Sequence, residues 1–285
     1  MTMNLDLVGR VSQPVRRSWA SDEAILYALG VGAGSVEPNA RELEFTTDNS
    51  TGFAQQVLPT FATVIGQGPA LVAQLGSFDR ARLVHGEQSV RVDGPIPAAG
   101  SVETRTTVTG IYDKGSGALA ILEAESVDPT SGTRCFATTT SLFVRGEGGF
   151  GGAPAPAGAG PLPARQPDRV VTYSTRPDQA LLYRLTGDHN PLHSDPVFAA
   201  RSGFDRPILH GLCTFGVVGR ALLHAVCDSR VERFREMSAR FSRPTYPGDA
   251  LRVSMWIDGD ERVRFRTDNQ RGEAVLEGGV LSLAS

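Results

Sequence analysis

Lysine is almost missing from this chain of 285 residues: Lys114 is the only one, and arginine carries the rest of the positive charge. Lys and Arg together number 28 against 31 Asp and Glu, a formal net charge of -3. A basic field for nucleic acid is therefore absent, and a strongly acidic partner is not implied either. Cysteine is scarce too. Cys135, Cys213 and Cys227 are an odd set without paired spacing, which argues against a disulfide framework and against a zinc site. Free thiols suit a reducing compartment. No run approaches the roughly eighteen consecutive apolar residues of a membrane span. Residues 1–10 carry Asp6 and no long apolar stretch, so they do not read as a secretory signal, and the closing Leu283-Ala284-Ser285 is not a peroxisomal address. The expectation is a cytoplasmic protein without a nucleic-acid partner, a membrane span or a metal.

What is present begins with a break. Residues 146–167 (GEGGFGGAPAPAGAGPLPARQP) are rich in Gly, Pro and Ala and have no periodic apolar face, the composition of a linker. They divide the chain into an N-terminal unit, 1–147, a linker, 148–167, and a C-terminal unit, 168–285. The two units share a layout. Helical spacing occurs at 22–29 (DEAILYAL) and at 178–185 (DQALLYRL), with Tyr27 and Tyr183 in matching places. Each helix would begin at an aspartate, as the dipole favours. Long stretches low in charge follow at 58–75 and 210–226; both have helical length and should be buried. Alternating apolar and polar residues then predict strands at 88–92, 101–113, 118–127 and 133–144, and again at 237–242, 250–258, 262–269 and 273–282. A helix with an antiparallel sheet wrapped over it is the hot-dog arrangement. Two copies in one chain make an α+β double hot-dog, a pseudo-dimer.

The chemistry-bearing stretch is Gly187-Asp188-His189-Asn190-Pro191-Leu192-His193. Pro191 fixes its own backbone and pushes Asn190 out of helical geometry, so the preceding helix must end in a loop. A loop can turn Asp188 and His193 towards each other, where a straight helix would point residues five apart in different directions. A carboxylate and an imidazole converging on one point can activate a water, with Asn190 fixing the geometry through hydrogen bonds. Further on, His210-Gly211 opens the second buried stretch. Gly211 N–H, at the first helical turn, is a donor for a thioester oxygen that gains negative charge. Taken singly these residues have plainer uses: Asp-x-Asn-Pro as a turn, His193 as a packed histidine, His210 as a helix cap. The first unit has no acid or histidine after Tyr27 (ALGVGAG), so the pair belongs to the second unit alone.

Residues 183–215 resemble the signature of the MaoC-like hydratases, or enoyl-CoA hydratase 2. The likeness extends through YALGVGA (27–33), HGEQ (85–88), DKGSG (113–117), FVRGEGGFGG (143–152) and YPG (246–248) to the hydratase part of peroxisomal multifunctional enzyme type 2. The resemblance implies a double hot-dog fold and interconversion of trans-2-enoyl-CoA and (3R)-3-hydroxyacyl-CoA. It assigns acid/base roles to Asp188 and His193, support to Asn190, the oxyanion donor to Gly211, and CoA or acyl contacts to His85, Gly86, Lys114 and Phe241. It implies a homodimer, and no cofactor, since CoA belongs to the substrate. On residues alone, Lys114 also fits a solvated hairpin, Phe241 core packing and His85-Gly86 a turn. A hot-dog thioesterase and a non-catalytic acyl-CoA-binding protein are the rival functions. Finally, Gly66-Gln67-Gly68-Pro69 should interrupt the first buried helix. We expect the gap to admit a medium or long, or bulky, acyl chain.

Overall fold

The computed structural model describes residues 3–35 and 40–284. Strand β1 (Val15–Trp19) leads into helices α1 (Ser21–Gly30), α2 (Ala40–Thr46) and the short α3 (Ala62–Ile65). Strands β2 (Leu83–Val92), β3 (Gly100–Asp113), β4 (Gly117–Val127) and β5 (Arg134–Arg145) complete the first half. The second half repeats the scheme with β6 (Arg169–Ser174), α4 (Gln179–Tyr183), α5 (Pro196–Arg201), α6 (Gly211–Val226), β7 (Phe234–Phe241), β8 (Ala250–Ile257), β9 (Arg262–Asp268) and β10 (Ala274–Leu283). Alternation along the strands sets the buried face: Val102, Thr104, Thr106 and Val108 of β3 all point inward. No helix among the described residues is long and apolar enough to cross a membrane.

The strand order is β1-β3-β4-β5-β2-β7-β10-β9-β8-β6. From each outer edge inward, both halves read first, third, fourth, fifth, second strand. This is the double hot-dog, with its two five-stranded sheets joined edge to edge through β2 and β7, where Ser89 faces Ser238. Joining these edges satisfies backbone groups that a free edge would leave open. The outermost strands β1 and β6 were not expected from alternation. Four of the five β1 residues are exposed, so an edge strand carries little of the pattern.

The helices expected at 22–29 and 178–185 are α1 and α4, with the Tyr27 and Tyr183 rings 6.2 Å apart. Helix α6 forms over the expected stretch and is buried continuously from Cys213 to Leu223. Its counterpart over 58–75 is not one helix. It is a turn at Pro59–Phe61, the four-residue α3 and a second turn at Pro69–Gln74. The interruption falls at Gly66 and Gly68, where a Cβ would lie 2.7 Å from the Phe136 ring and 1.9 Å from Thr106 Oγ1. These glycines let the backbone sink onto the sheet.

Residues 146–167 are held to the body by specific contacts. The Asp113 carboxylate accepts the N–H groups of Gly115, Gly149 and Gly151 at 2.7, 2.9 and 2.6 Å. Residues 158–162 then pass over the β2–β7 seam, and Arg264 donates to the Pro161 carbonyl at 2.7 Å.

Gly216 of α6 faces the first half so closely that a Cβ would lie 2.5 Å from Val31 Cγ1 and 2.6 Å from the Tyr27 hydroxyl. Alanine would gain about 1 kcal/mol of helix propensity but overpack this contact by about 1–3 kcal/mol. Val31, at the C-terminal end of α1, is fully buried and has little room to yield, so we expect Gly216→Ala to be destabilising by about 1 kcal/mol in urea unfolding.

Candidate active site

Gly187 ends the α4 segment at a φ of 128°, a backbone conformation that side chains avoid. The loop that follows is built from successive side-chain caps. Asp188 Oδ1 accepts the Asn190 N–H at 3.1 Å, and Asn190 Oδ1 accepts the Leu192 N–H at 3.1 Å. That second bond caps the short turn Pro191–His193, with Pro191 at the position whose N–H would lack a partner anyway. Asp195 then caps α5 through the Val197 N–H at 2.8 Å. Asn190 thus gives its support through the backbone of the turn that presents His193.

The histidine protonation pattern follows from the acceptors around the rings. His193 Nδ1 lies 2.9 Å from the Ile208 carbonyl. A carbonyl only accepts, so Nδ1 carries the proton and neutral His193 keeps a bare lone pair on Nε2. His210 Nε2 lies 3.1 Å from the Asp188 carbonyl and donates to it, and its Nδ1 has no protein partner. The two rings stack with centroids 3.8 Å apart and planes at 29°. Burial pushes the pKa of His193 below 6.5. Burial, and then the neighbouring His193, bring His210 down to about 4. One donor atom from each of Asp188, His193 and His210 falls within 4.8 Å of the others. Asp188 is partly exposed, while His210 is only 1% exposed.

Gly211 follows directly as the first residue of α6. The Phe241 ring lies against it, 3.3 Å from where a Cβ would be. The His85 ring lies 4.9 Å from that of Phe241, at 65°. Gly86 occupies a register shift between β2 and β5, flanked by His85 and Glu87; such a bulge re-aims its neighbouring side chain. Burial holds His85 at a pKa of about 4. The structure therefore brings Asp188, His193, Gly211, Phe241, His85 and Gly86 into one locality from both halves. Lys114 lies elsewhere, exposed on the β3–β4 turn.

A helix cap was the plainer use the sequence offered for His210. It makes no side-chain cap bond and instead stacks on the His193 ring, with the Tyr183 ring tilted at 51° on it, 4.9 Å away. The available signal was its position beside Gly211 at the mouth of the buried helix.

The buried histidines have a consequence for stability. Folded His210 titrates at about 4, against 6.5 for an ordinary histidine. Between these values the unfolded chain holds more protons, so stability falls as pH drops from 6.5 to 4, by at most about 1.4 kcal/mol per pH unit for one such group. Urea unfolding of His210→Gln should show a shallower fall across this window than the parent chain; an unchanged slope would contradict the buried neutral state.

Comparison with known proteins agrees with this arrangement. A profile of the MFE-2 hydratase 2 N-terminal domain matches residues 18–146, and one of the MaoC like domain matches residues 159–278. Two Mycobacterium tuberculosis proteins are similar over nearly their whole length. The 3-hydroxyacyl-thioester dehydratase Y is 42% identical, covering 99% of this chain and 98% of that one. Enoyl-CoA hydratase ChsH3 is 41% identical, covering 98% of each. The crystal structure of a MaoC-like dehydratase from Phytophthora capsici superposes with a TM-score of 0.86 at 31% identity, over 99% of this chain and 98% of that one. With a bare imidazole nitrogen beside an aspartate at the mouth of a buried helix, and these relatives end to end, the chain belongs to the MaoC-like hydratase 2 family.

Proposed function

We propose that this protein adds water reversibly to trans-2-enoyl-CoA, giving (3R)-3-hydroxyacyl-CoA, in fatty-acid or related acyl-CoA metabolism. The observation that carries the reading is the neutral His193, its Nε2 unoccupied beside Asp188. A water held between Asp188 and Nε2 attacks C3 of the enoyl group. One of its protons passes to the dyad as the oxygen bonds to carbon. The C2–C3 π electrons move toward the thioester, and a proton returns to C2 on the same face. Gly211 N–H, at the positive end of α6, holds the thioester oxygen as it becomes enolate-like. His85 and Phe241 line the approach, and the family resemblance offers Lys114, on the β3–β4 turn, as one contact for a phosphate of CoA. The names of the mycobacterial relatives support this reaction class.

The reading needs no metal. Asp188, His193 and His210 offer donor atoms at a spacing that an ion would tolerate. However, the two rings lie in planes only 29° apart with centroids 3.8 Å apart, so their in-plane lone pairs meet poorly at a single point, as a tetrahedral ion would need. Residence in the cytoplasm is part of the same proposal, in keeping with three unpaired cysteines. So is a homodimer, for which exposed Leu181, Leu185, Val197 and Phe198 supply apolar surface.

Asp188→Asn and His193→Ala should each reduce hydration of trans-2-decenoyl-CoA by roughly a hundred- to ten-thousand-fold. Loss of enoyl absorbance without thiol release identifies hydration. Thiol release would mark a thioesterase, and binding without turnover a carrier or scaffold.

Helix α3 stops at Ile65 while α6 runs for sixteen residues. We propose that this difference provides room for a medium or long, or bulky, acyl chain. The expected result is a higher kcat/KM for C10 or branched enoyl-CoA than for crotonyl-CoA; a clear preference for crotonyl-CoA would refute it.

A further inference from the structure

We propose that a cleft lined by Arg206, Arg243 and Arg271 binds the 3′-phosphorylated nucleotide end of coenzyme A, an inference that rests on the enoyl-CoA reading above. The cleft encloses about 410 Å³ and also includes Tyr246, Asp205 and Glu273. The Arg206 guanidinium lies 4.8 Å from the Tyr246 ring centroid, and that of Arg271 lies 5.9 Å from it. Arg271 is already neutralised by Glu273 at 3.0 Å and Asp249 at 3.8 Å. Arg206 and Arg243 form no ion pair among the described residues, so two guanidinium forks are available to an anion.

Position links the cleft to the acyl site. Arg206 lies two residues before Ile208, whose carbonyl fixes the His193 tautomer. Arg243 lies two residues after Phe241, which packs on Gly211. The two stretches are tied by the Leu209 N–H to the Thr245 carbonyl at 2.7 Å. One pair of chain segments thus carries the thioester site at one end and the arginine cleft at the other. Coenzyme A has the same layout: a thioester, a neutral flexible arm, then a nucleotide with several phosphates. Arginine forks match phosphate oxygens in paired hydrogen bonds. Guanidinium and tyrosine planes offer a stacking surface to an adenine base. Asp205 and Glu273 oppose an anion, and they make the assignment testable by sign.

Lys114 is the competing phosphate contact. Its turn lies at the same end of the sheet, since Asp113 faces Ala118, Ala118 faces Val144 and Val144 faces Leu83. It is separated from β7 by β2, β5 and β4.

Isothermal titration of the full chain with adenosine 3′,5′-bisphosphate separates these possibilities without turnover. Arg206→Ala and Arg243→Ala are each expected to weaken binding on the order of tenfold or more, as loss of a charge-assisted pair does. Asp205→Asn should tighten it, and added salt should weaken it. In kinetics, the ratio of kcat/KM for trans-2-decenoyl-CoA over its dephospho-CoA counterpart should fall about tenfold in Arg243→Ala, with Arg243→Lys recovering part of it. Circular dichroism checks that each variant is folded, and the opposite sign expected for Asp205→Asn excludes a general loss of structure. The proposal is overturned if the bisphosphate does not bind, if Lys114→Ala alone moves its affinity, or if CoA and dephospho-CoA thioesters are used equally well. Bisphosphate binding without any hydration would leave the cleft standing and remove the hydratase reading instead.

Discussion

Helix α6 has almost no face left for water, and the rest of the molecule is arranged to cover it. From Cys213 to Leu223 every residue is buried. The sheet covers one side and the first half covers another. Close approach depends on small residues: a Cβ at Gly219 would lie 2.5 Å from Thr60 Cγ2. The single charge in this run, Arg220, is only 1% exposed and pairs with Glu42 of α2. Burial alone would raise the Glu42 pKa, but a hydrogen bond with His224 and the Arg220 charge hold it at about 2. A buried charge without its partner is strongly destabilising, so the second half cannot bury its own helix without a carboxylate from the first.

That dependence also sets the site. Burying α6 places Gly211, at its first turn, where β7 ends and β2 begins, so Phe241 and His85 meet there from different halves. The loop carrying Asp188 is held by short-range caps, whereas the histidine tautomers are set by the carbonyls of Ile208 and of Asp188 itself. Backbone groups do not titrate, so they fix which nitrogen carries the proton, while burial lowers the pKa of both rings. A conformation imposed by packing thereby becomes a proton acceptor at neutral pH.

Much of this was legible from periodicity. The inner strands alternate because one face is buried and the other is not, and the low charge of residues 210–226 already required burial. Asp188, His193 and Gly211 could be placed because proline and glycine chemistry acts over a few residues. Strands β1 and β6 were not legible, because an edge strand such as β1 has four exposed residues in five and no alternation to read. The glycine-rich stretch after β5 reads as a linker in composition. Yet Asp113, more than thirty residues earlier, organises Gly149 and Gly151, a pairing without a local trace.

The sequence by itself therefore determined the two-unit plan, the break at Pro191 and the helix that begins at Gly211, all consequences of short-range sterics and hydrophobic pattern. Tertiary structure alone decided that the two sheets share one seam, that Glu42 neutralises Arg220, that His210 stacks on His193, and that Arg206, Arg243 and Arg271 line one cleft. Each of these joins residues at least seventeen positions apart, beyond the reach of any local pattern, and only the packing within and between the two halves brings them together.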